Sequence, residues 1–285
     1  MRTFILIIFS VLTTGCSVQQ IVVKSMGGIM DNAFEVLNEE QDLNLAEKSI
    51  ASNLKLLEAM VKTDPENKRL LLLTSMGYSS YTLGFVEDEN PETARLFYKR
   101  AKDYGIRILN SNKNFANAKN GNLENFTTSL LSFSKDDLPA VFWTAVSWGS
   151  YISLSLTDPD ALADLPKVEA MMKYITEKDP NYFYGGAYFF LGTLYGSRPK
   201  ILGGNSEESK KNFEKCLSIN NGKFLMTYVY YARTYAVQMQ DQELFNELLD
   251  KVDEASIDIL PEARLSNAIA KKKATHLRNL INELF

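Results

Sequence analysis

The sequence contains little histidine and cysteine, with one and two residues respectively in a chain of 285. Catalytic and structural metal sites draw on clustered histidine and cysteine ligands, and neither Cys-x-x-Cys nor His-Glu-x-x-His occurs. A Gly-x-Ser-x-Gly nucleophile elbow is also absent. His276 lies among Lys271, Lys272, Lys273 and Arg278, which disfavour both its protonation and metal binding. The sequence therefore predicts a protein that is not an enzyme and uses no cofactor or metal.

An excess of positive charge is absent too. The chain has 31 lysine and arginine residues against 35 acidic residues, which gives a net charge of −4. Recognition of a phosphate backbone depends on clustered basic side chains, and no basic stripe follows the N-terminal segment. Nucleic acid is therefore not a predicted partner. The length fits one sizeable domain with ample material for a core.

Only the N-terminus carries a long hydrophobic run, and that run is too short for a permanent membrane span. Residues 4–12 are apolar and follow a cationic start, which is the pattern of a signal peptide. Thr13-Thr14-Gly15-Cys16 follows and resembles a bacterial lipobox, in which small residues precede a cysteine that receives lipid. An ordinary secretory peptide with an incidental cysteine is the alternative.

This pattern divides the chain into three predicted parts. Residues 1–15 form a lipoprotein signal peptide, residues 16–40 form the lipid anchor and an N-terminal tether, and residues 41–285 form the folded domain. Cys16 is the predicted site of lipid attachment, through which the protein would contact a bilayer. Cys216 then has no intramolecular partner for a disulfide, so the stability of the domain must come from packing.

Helical periodicity dominates the rest of the chain. From Asp31 onward apolar residues recur every three or four positions, with hardly any sustained alternation of the strand kind. Asp-Pro and Asn-Pro pairs mark helix starts, because proline suits the first turn and the preceding side chain can cap it. Residues 112–125 are predicted to be a loop. The predicted helices cover residues 42–63, 67–86, 91–110, 123–132, 138–156, 162–178, 181–196, 206–219, 223–238, 241–254 and 261–284.

The helices repeat in pairs with the spacing of tetratricopeptide units. Tyr188-x-x-Leu191-Gly192-x-x-Tyr195 has the first-helix spacing, and Ser209-x-x-x-Phe213-x-x-Cys216 has the second-helix spacing. A small residue such as Gly192 or Ala232 would let the partner helix approach. Three further pairs show the same pattern, and the one that begins at Leu73 is the faintest. We therefore predict an all-α fold of degenerate tetratricopeptide-like helical hairpins, which stack into a compact curved bundle.

Aromatic residues crowd the central repeats. Consecutive aromatic side chains on a helix cannot all face one core, so some of them should line a second surface, either a ligand groove or a partner site. Filling between thick helix pairs is the alternative for any one of them. The acidic run 87–89 is interpreted as a solvated helix end in preference to a cation site. The candidate ligand or partner residues are Tyr184, Tyr188, Tyr195, Arg198, Lys200, Tyr228, Tyr231 and Tyr235.

One turn in the central repeats is distinctive. Pro199 should end one helix, Gly203 and Gly204 permit close or left-handed backbone geometry, and Asn205 or Ser206 can cap the next helix. With the lipobox, the repeats and the C-terminal block 260–285, this stretch resembles the T component of the tetratricopeptide-associated TRAP transporters. The turn that carries the resemblance consists of Arg198, Pro199, Leu202, Gly203, Gly204 and Asn205.

The resemblance implies a non-catalytic helical lipoprotein on the periplasmic side of the bacterial envelope. Such a protein would form a homotrimer, dock the periplasmic substrate-binding subunit of an ion-gradient-driven importer, and hold or pass a ligand. Ser17, after the lipidated cysteine, favours the outer membrane. Two alternatives remain open. One is a general envelope adaptor that binds peptides or outer-membrane precursors, and the other is a hydrolase that uses Glu207 or Glu208, for which no paired geometry is visible.

Overall fold

The structure is a computed structural model that describes Val23 and residues 27–285, and within this part of the chain it contains helices and no strand. The predicted signal peptide and Cys16 lie outside the described residues. A π-helical segment, Thr82–Val86, continues α3 (Lys68–Tyr81), and a second, Tyr231–Ala236, joins α12 (Met226–Tyr230) to α13 (Val237–Met239). Residues 224–239 are called the α12 segment below. The helices are α1 Gly27–Asn38, α2 Leu43–Thr63, α3 Lys68–Tyr81, α4 Pro91–Leu109, α5 Lys113–Ala118, α6 Leu123–Leu130, α7 Leu138–Ser153, α8 Pro159–Ala163, α9 Leu165–Lys178, α10 Tyr182–Gly196, α11 Ser206–Asn220, α12 Met226–Tyr230, α13 Val237–Met239, α14 Gln242–Glu254, α15 Arg264–Asn279 and α16 Ile281–Leu284.

Asparagine and aspartate side chains start many of these helices. Asn90 accepts a hydrogen bond from the amide of Thr93 at 3.0 Å, and Pro91 occupies the first turn of α4, where a missing amide proton costs nothing. Asp42 caps α2 and Asp241 caps α14 in the same way. These caps explain why the predicted helix starts agree with the structure to within a few residues.

Two helices occupy segments that the sequence assigns to other structure. Helix α5 lies in the predicted loop, where Asn112 caps its first turn and the fully buried ring of Phe115 attaches it to the core. Helix α1 lies in the predicted tether, and its Met30 side chain is buried against the bundle. Phe115 and Met30 thus attach these two helices to the core, through contacts that the local sequence does not reveal.

Each predicted helix pair is in contact. Helix α3 packs on α4, α7 on α9, α10 on α11, and the α12 segment on α14. A methyl group on Gly192 would lie 2.9 Å from the ring of Phe213, so the absence of a side chain allows α10 and α11 to approach closely. The prediction of an all-α compact bundle is confirmed. The assignment of these pairs to tetratricopeptide repeats stays a prediction.

The glycine turn between α10 and α11 requires both of its glycines. Gly203 has a φ of +83°, in the left-handed region that side chains disfavour. A Cβ atom on Gly204 would overlap the carbonyl group of Arg198. Asn205 then caps α11 by accepting a hydrogen bond from the amide of Glu208 at 3.1 Å. Steric fit and capping thus account for the glycines and the asparagine of this turn.

We expect Gly204→Ala to lower the free energy of unfolding by more than about 1 kcal/mol, because the new methyl group meets backbone atoms that cannot move aside. Gly28→Ala is the matched control, since no atom lies within 4 Å of the added Cβ position on α1. Urea unfolding followed by circular dichroism measures both changes. Equal stability of the two variants would contradict this account of the turn.

Candidate functional site

The bundle contains a partly open cavity of about 380 Å³. Its walls come from helices α1, α2, α3, α7, α10 and α15, together with the α12 segment. Most of the lining side chains are aromatic or aliphatic, and the volume lies in the range of small-molecule sites. The cavity thus has the size and the lining of a small-molecule site.

One end of the cavity is aromatic. The ring of Phe183 lies 5.0 Å from that of Trp143, 5.6 Å from that of Phe142 and 6.0 Å from that of Phe224, centroid to centroid. The contacts to Trp143 and Phe224 are edge-to-face, the arrangement that aromatic quadrupoles favour. These rings bring together the first turns of α7 and α10 and the start of the α12 segment.

The backbone is strained where Phe183 enters this cluster. Phe183, Tyr184 and Gly185 have φ values of 47°, 60° and 81°, so two aromatic residues adopt the left-handed conformation. Such a conformation costs roughly 1 kcal/mol or more for each non-glycine residue. Asn220 offsets part of this cost by donating a hydrogen bond to the carbonyl of Tyr184 at 3.1 Å. The strain places the Phe183 ring among its three partners.

The other end of the cavity is polar and centres on Glu87. Its carboxylate accepts hydrogen bonds from the hydroxyls of Tyr98 and Tyr230, each at 2.6 Å, and from the ammonium of Lys273 at 2.9 Å. Burial and the neighbouring Glu87 charge raise the pKa of both tyrosines well above its ordinary value, so both phenols remain donors. Glu87 and Tyr230 line the cavity.

A second carboxylate extends this cluster toward solvent. Asp88 accepts hydrogen bonds from Lys273 at 2.6 Å and from Arg233 at 3.0 Å. The Lys273 side chain is only 3% exposed, and those of Glu87 and Asp88 are 13% and 19% exposed. The interpretation of the acidic run as a solvated helix end is therefore wrong for its first two residues, which form an ion cluster.

Both π-helical segments border this ion cluster. Thr82–Val86 ends immediately before Glu87, whose amide donates to the carbonyl of Thr82 at 2.9 Å. Tyr231–Ala236 contains Arg233, which lines the cavity. A π turn shifts the register of a helix by one residue and is frequent at functional sites. Here one register shift lies beside Glu87 and the other contains Arg233, and these opposite charges lie 3.6 Å apart.

Two candidate residues from the sequence, Tyr195 and Arg198, form hydrogen bonds with groups of this chain. The Tyr195 hydroxyl donates to Glu169 at 2.8 Å, and burial, with Glu169 beside it, raises the Tyr195 pKa to about 12. The Arg198 guanidinium folds back and donates to the carbonyl of Leu194 at 3.0 and 3.2 Å. Arg198 thus satisfies a carbonyl at the C-terminus of α10.

Three further candidates pack on neighbouring aromatic rings. Tyr184 stacks on Phe224 at 5.2 Å, and Tyr231 is buried and stacks on Phe213 at 4.8 Å. Tyr235 packs on Tyr231 at 5.3 Å. These contacts match the alternative that such rings fill space between helix pairs.

None of the eight candidates lines the cavity. Tyr188 and Tyr228 are half-buried and Lys200 is exposed, so a partner-facing role for the set stays a prediction. The lining aromatic residues of α10 are their immediate neighbours. Aromatic clustering indicated the correct helix, but the face that turns toward the cavity depends on the packing of its neighbours. The aromatic lining residues are Phe34, Phe85, Phe142, Trp143, Phe183, Phe189, Phe190, Phe224 and Tyr230.

The described residues contain no group of three or more histidine, cysteine, aspartate or glutamate side chains arranged to hold a metal ion. Cys216 is buried and close to Thr227 and Asn220, and burial raises its pKa to about 11. The thiol is therefore protonated at neutral pH. Within the same part of the chain, no helix is both long and apolar enough to cross a membrane.

We expect Lys273→Met to lower the free energy of unfolding by about 3–5 kcal/mol, because it leaves buried carboxylates without a partner. Lys272→Met is the matched control: its exposed partner is Glu89, and loss of such a pair costs at most about 1 kcal/mol. Combining Lys273→Met with Glu87→Gln should recover part of the loss. Similar urea midpoints for the two lysine variants would contradict a structural role for the cluster.

The cluster also predicts a dependence on pH. Burial raises the Asp88 pKa, but Lys273 and Arg233 outweigh it and hold that pKa below its ordinary value of 3.8. Ionised Asp88 therefore stabilises the fold above its unfolded pKa of about 3.9, and this contribution is lost as the pH falls further. We expect Asp88→Asn to flatten the fall in urea midpoint between about pH 4 and pH 2. An unchanged acid profile would argue against the assigned ion pairs.

Comparison with known proteins gives the family. The chain matches the family described as TRAP transporter T-component over residues 39–285, which include every wall of the cavity except α1. An uncharacterized protein of Treponema pallidum (strain Nichols) is 22% identical to it, over 96% of this chain and 94% of its own length. The chain belongs to the TRAP transporter T-component family and is an envelope-associated accessory component of a TRAP transporter.

Proposed function

We propose that the protein docks the periplasmic substrate-binding subunit of its transporter and holds or passes a ligand within the cavity. The observation that carries this proposal is a partly open, aromatic-lined cavity of about 380 Å³ in a chain of this transporter family. Small-molecule sites are typically concave, apolar and furnished with a few polar groups. The cavity has that composition, because Glu87 and Arg233 are its only charged lining residues within the described chain.

The proposed role does not involve catalysis. The carboxylate of Glu87 already accepts three hydrogen bonds, and both partner phenols are held in their protonated form. A carboxylate that already accepts three hydrogen bonds and is paired with Lys273 is poorly suited to accept a proton from a substrate. Binding and release are therefore the functions that this site supports.

Lipid attachment at Cys16 would place the protein at the periplasmic face of the outer membrane. Acyl chains bury many methylene groups and therefore hold a protein at a bilayer surface without a spanning helix. A homotrimer would present three cavities and three docking surfaces to the transporter. Both features belong to this proposal, and lipidation is tested directly by mass spectrometry of the N-terminal peptide.

The turn between α10 and α11 offers a surface for docking. Ile201 is 91% exposed, and Lys200 beside it is exposed as well. Backbone hydrogen bonds from Gly203 to Lys200 and from Asn205 to Tyr195 hold this turn in one geometry. An apolar side chain displayed on a fixed turn loses little conformational freedom when it binds. We therefore place Lys200 and Ile201 in the proposed contact with the partner.

We expect affinity capture of the full chain from its native organism, with mild crosslinking, to recover a periplasmic substrate-binding protein. The double variant Lys200→Glu, Ile201→Asp should reduce this recovery about tenfold, since central interface residues commonly contribute more than 1 kcal/mol. Met239→Asp, at an exposed apolar residue on α13, is the control. Capture of peptides or outer-membrane precursors, with no substrate-binding protein, would favour the general adaptor instead.

A further inference from the structure

The two ends of the cavity differ in chemistry, and this difference bears on what the cavity binds. Phe183 and its partner rings form one end, and Glu87 with Arg233 forms the other. Helix α7 spans both ends: Trp143 lies at the aromatic end, and Ser150, which also lines the cavity, lies beside Tyr98 of the ion cluster. Seven residues separate them, which corresponds to about 10 Å along a helix.

The hydrogen-bonding capacity left open at the polar end belongs to Arg233. Glu87 accepts from two phenols and an ammonium, so its oxygens are occupied. Arg233 uses Nη1 to donate to Asp88, and no described residue accepts from its Nε or Nη2. A guanidinium has five N–H donors in a planar fork that matches a carboxylate or phosphate group. The polar end therefore offers unused hydrogen-bond donors on the positively charged guanidinium of Arg233.

The charge balance of the cluster is compatible with an anion at this position. Glu87 and Asp88 are matched by Lys273 and Arg233, and Lys273 contacts both carboxylates. The Arg233 side chain is 40% exposed, so a head group bound there can retain part of its hydration. An isolated cation would find no unpaired carboxylate among the lining residues of the described chain, because Glu87 already forms an ion pair with Lys273 and accepts hydrogen bonds at both oxygens.

We infer that the cavity takes an amphiphile with a single anionic head group, which Arg233 binds, and an apolar body that reaches toward Trp143 and Phe183. This inference rests on the ligand-holding part of the proposed function and names its ligand class. Charge-assisted hydrogen bonds to the head group supply selectivity, and burial of the apolar body supplies most of the affinity. The head group is a carboxylate or a phosphate, which share the required chemistry.

The test uses the full chain in lipid nanodiscs, with empty nanodiscs as the partition control. Trp148→Phe leaves Trp143 as the only tryptophan, and Trp143 lines the cavity. The probe is decanoate brominated at its terminal carbon, because bromine quenches indole fluorescence at short range. We expect saturable quenching of Trp143 by this probe, and much weaker quenching by decanoate brominated next to the carboxylate.

Competition against the probe then identifies the head group. Decanoate or decyl phosphate should displace it at least about tenfold better than decanol, and decylammonium should displace it least, as expected for charge-assisted bonds to arginine. Whichever anion competes better assigns the head group. Arg233→Gln should remove the preference for anions over decanol, and Arg233→Lys should retain part of it. Thermal unfolding checks that each variant is folded.

Substitutions of two threonines test separately whether the ligand binds inside the cavity. Thr193→Trp fills the cavity from α10 and should abolish all displacement, whereas Thr176→Trp on α9 lies away from it and should not. Each native hydroxyl bonds a carbonyl of its own helix, so the two variants lose similar contacts. These variants retain both tryptophans, so binding to them is followed by displacement of radiolabelled decanoate from the discs.

Three results would overturn the inference. Equal displacement by decanol and decanoate, unaffected by Arg233→Gln, would leave the cavity as a ligand site and refute the head-group assignment. Tighter binding of decylammonium would refute it as well. If no amphiphile binds the wild type above the empty-disc level, the ligand-holding part of the proposed function also fails, while docking of the substrate-binding protein is judged by affinity capture alone.

Discussion

The buried carboxylate of Glu87 is the interaction on which the closed form of the bundle depends. It joins α4, the α12 segment and α15 at one point, through hydrogen bonds that span 143 and 186 positions of the chain. Stacked helical hairpins can in principle continue as an open superhelix, because each pair contacts only its neighbours. The contact between Glu87, just after the first π-helical segment, and Lys273 of α15 prevents such a continuation. The cavity lies between the helices that this contact holds together. The cavity is a product of this closure.

The backbone is locally strained at the other, aromatic end of the cavity. Helix formation by Phe183 and Tyr184 with ordinary dihedral angles would direct their rings elsewhere, and the left-handed segment instead places Phe183 between Trp143 and Phe224. The free energy of edge-to-face packing and the hydrogen bond from Asn220 offset the strain. Ion pairing at one end and aromatic packing at the other thus define the two boundaries of the cavity.

Much of the fold could be predicted from local signals. Asn90 and Pro91 mark a helix start within two residues, and the spacing around Gly192 anticipates its contact with Phe213. The position of the cavity could not be predicted in the same way. Lys273 follows two other lysines in the sequence and resembles a solvated run, and only the fold brings it to Glu87. The π turns that accompany Glu87 and Arg233 have no local sequence signal of the kind that capping residues provide.

Helix α1 has a consequence for how the N-terminal part of the chain is regarded. Its Phe34 and Leu37 line the cavity, Asp31 pairs with Arg69 of α3, and the carbonyl of Glu39 just beyond it accepts a hydrogen bond from Arg264. If Cys16 carries lipid as proposed, the segment between this anchor and the bundle is therefore also one side of the cavity. A shortened chain that began after Asn38 would lose the proposed tether together with the Phe34 and Leu37 side of the cavity, so the two effects of such a deletion could not be separated.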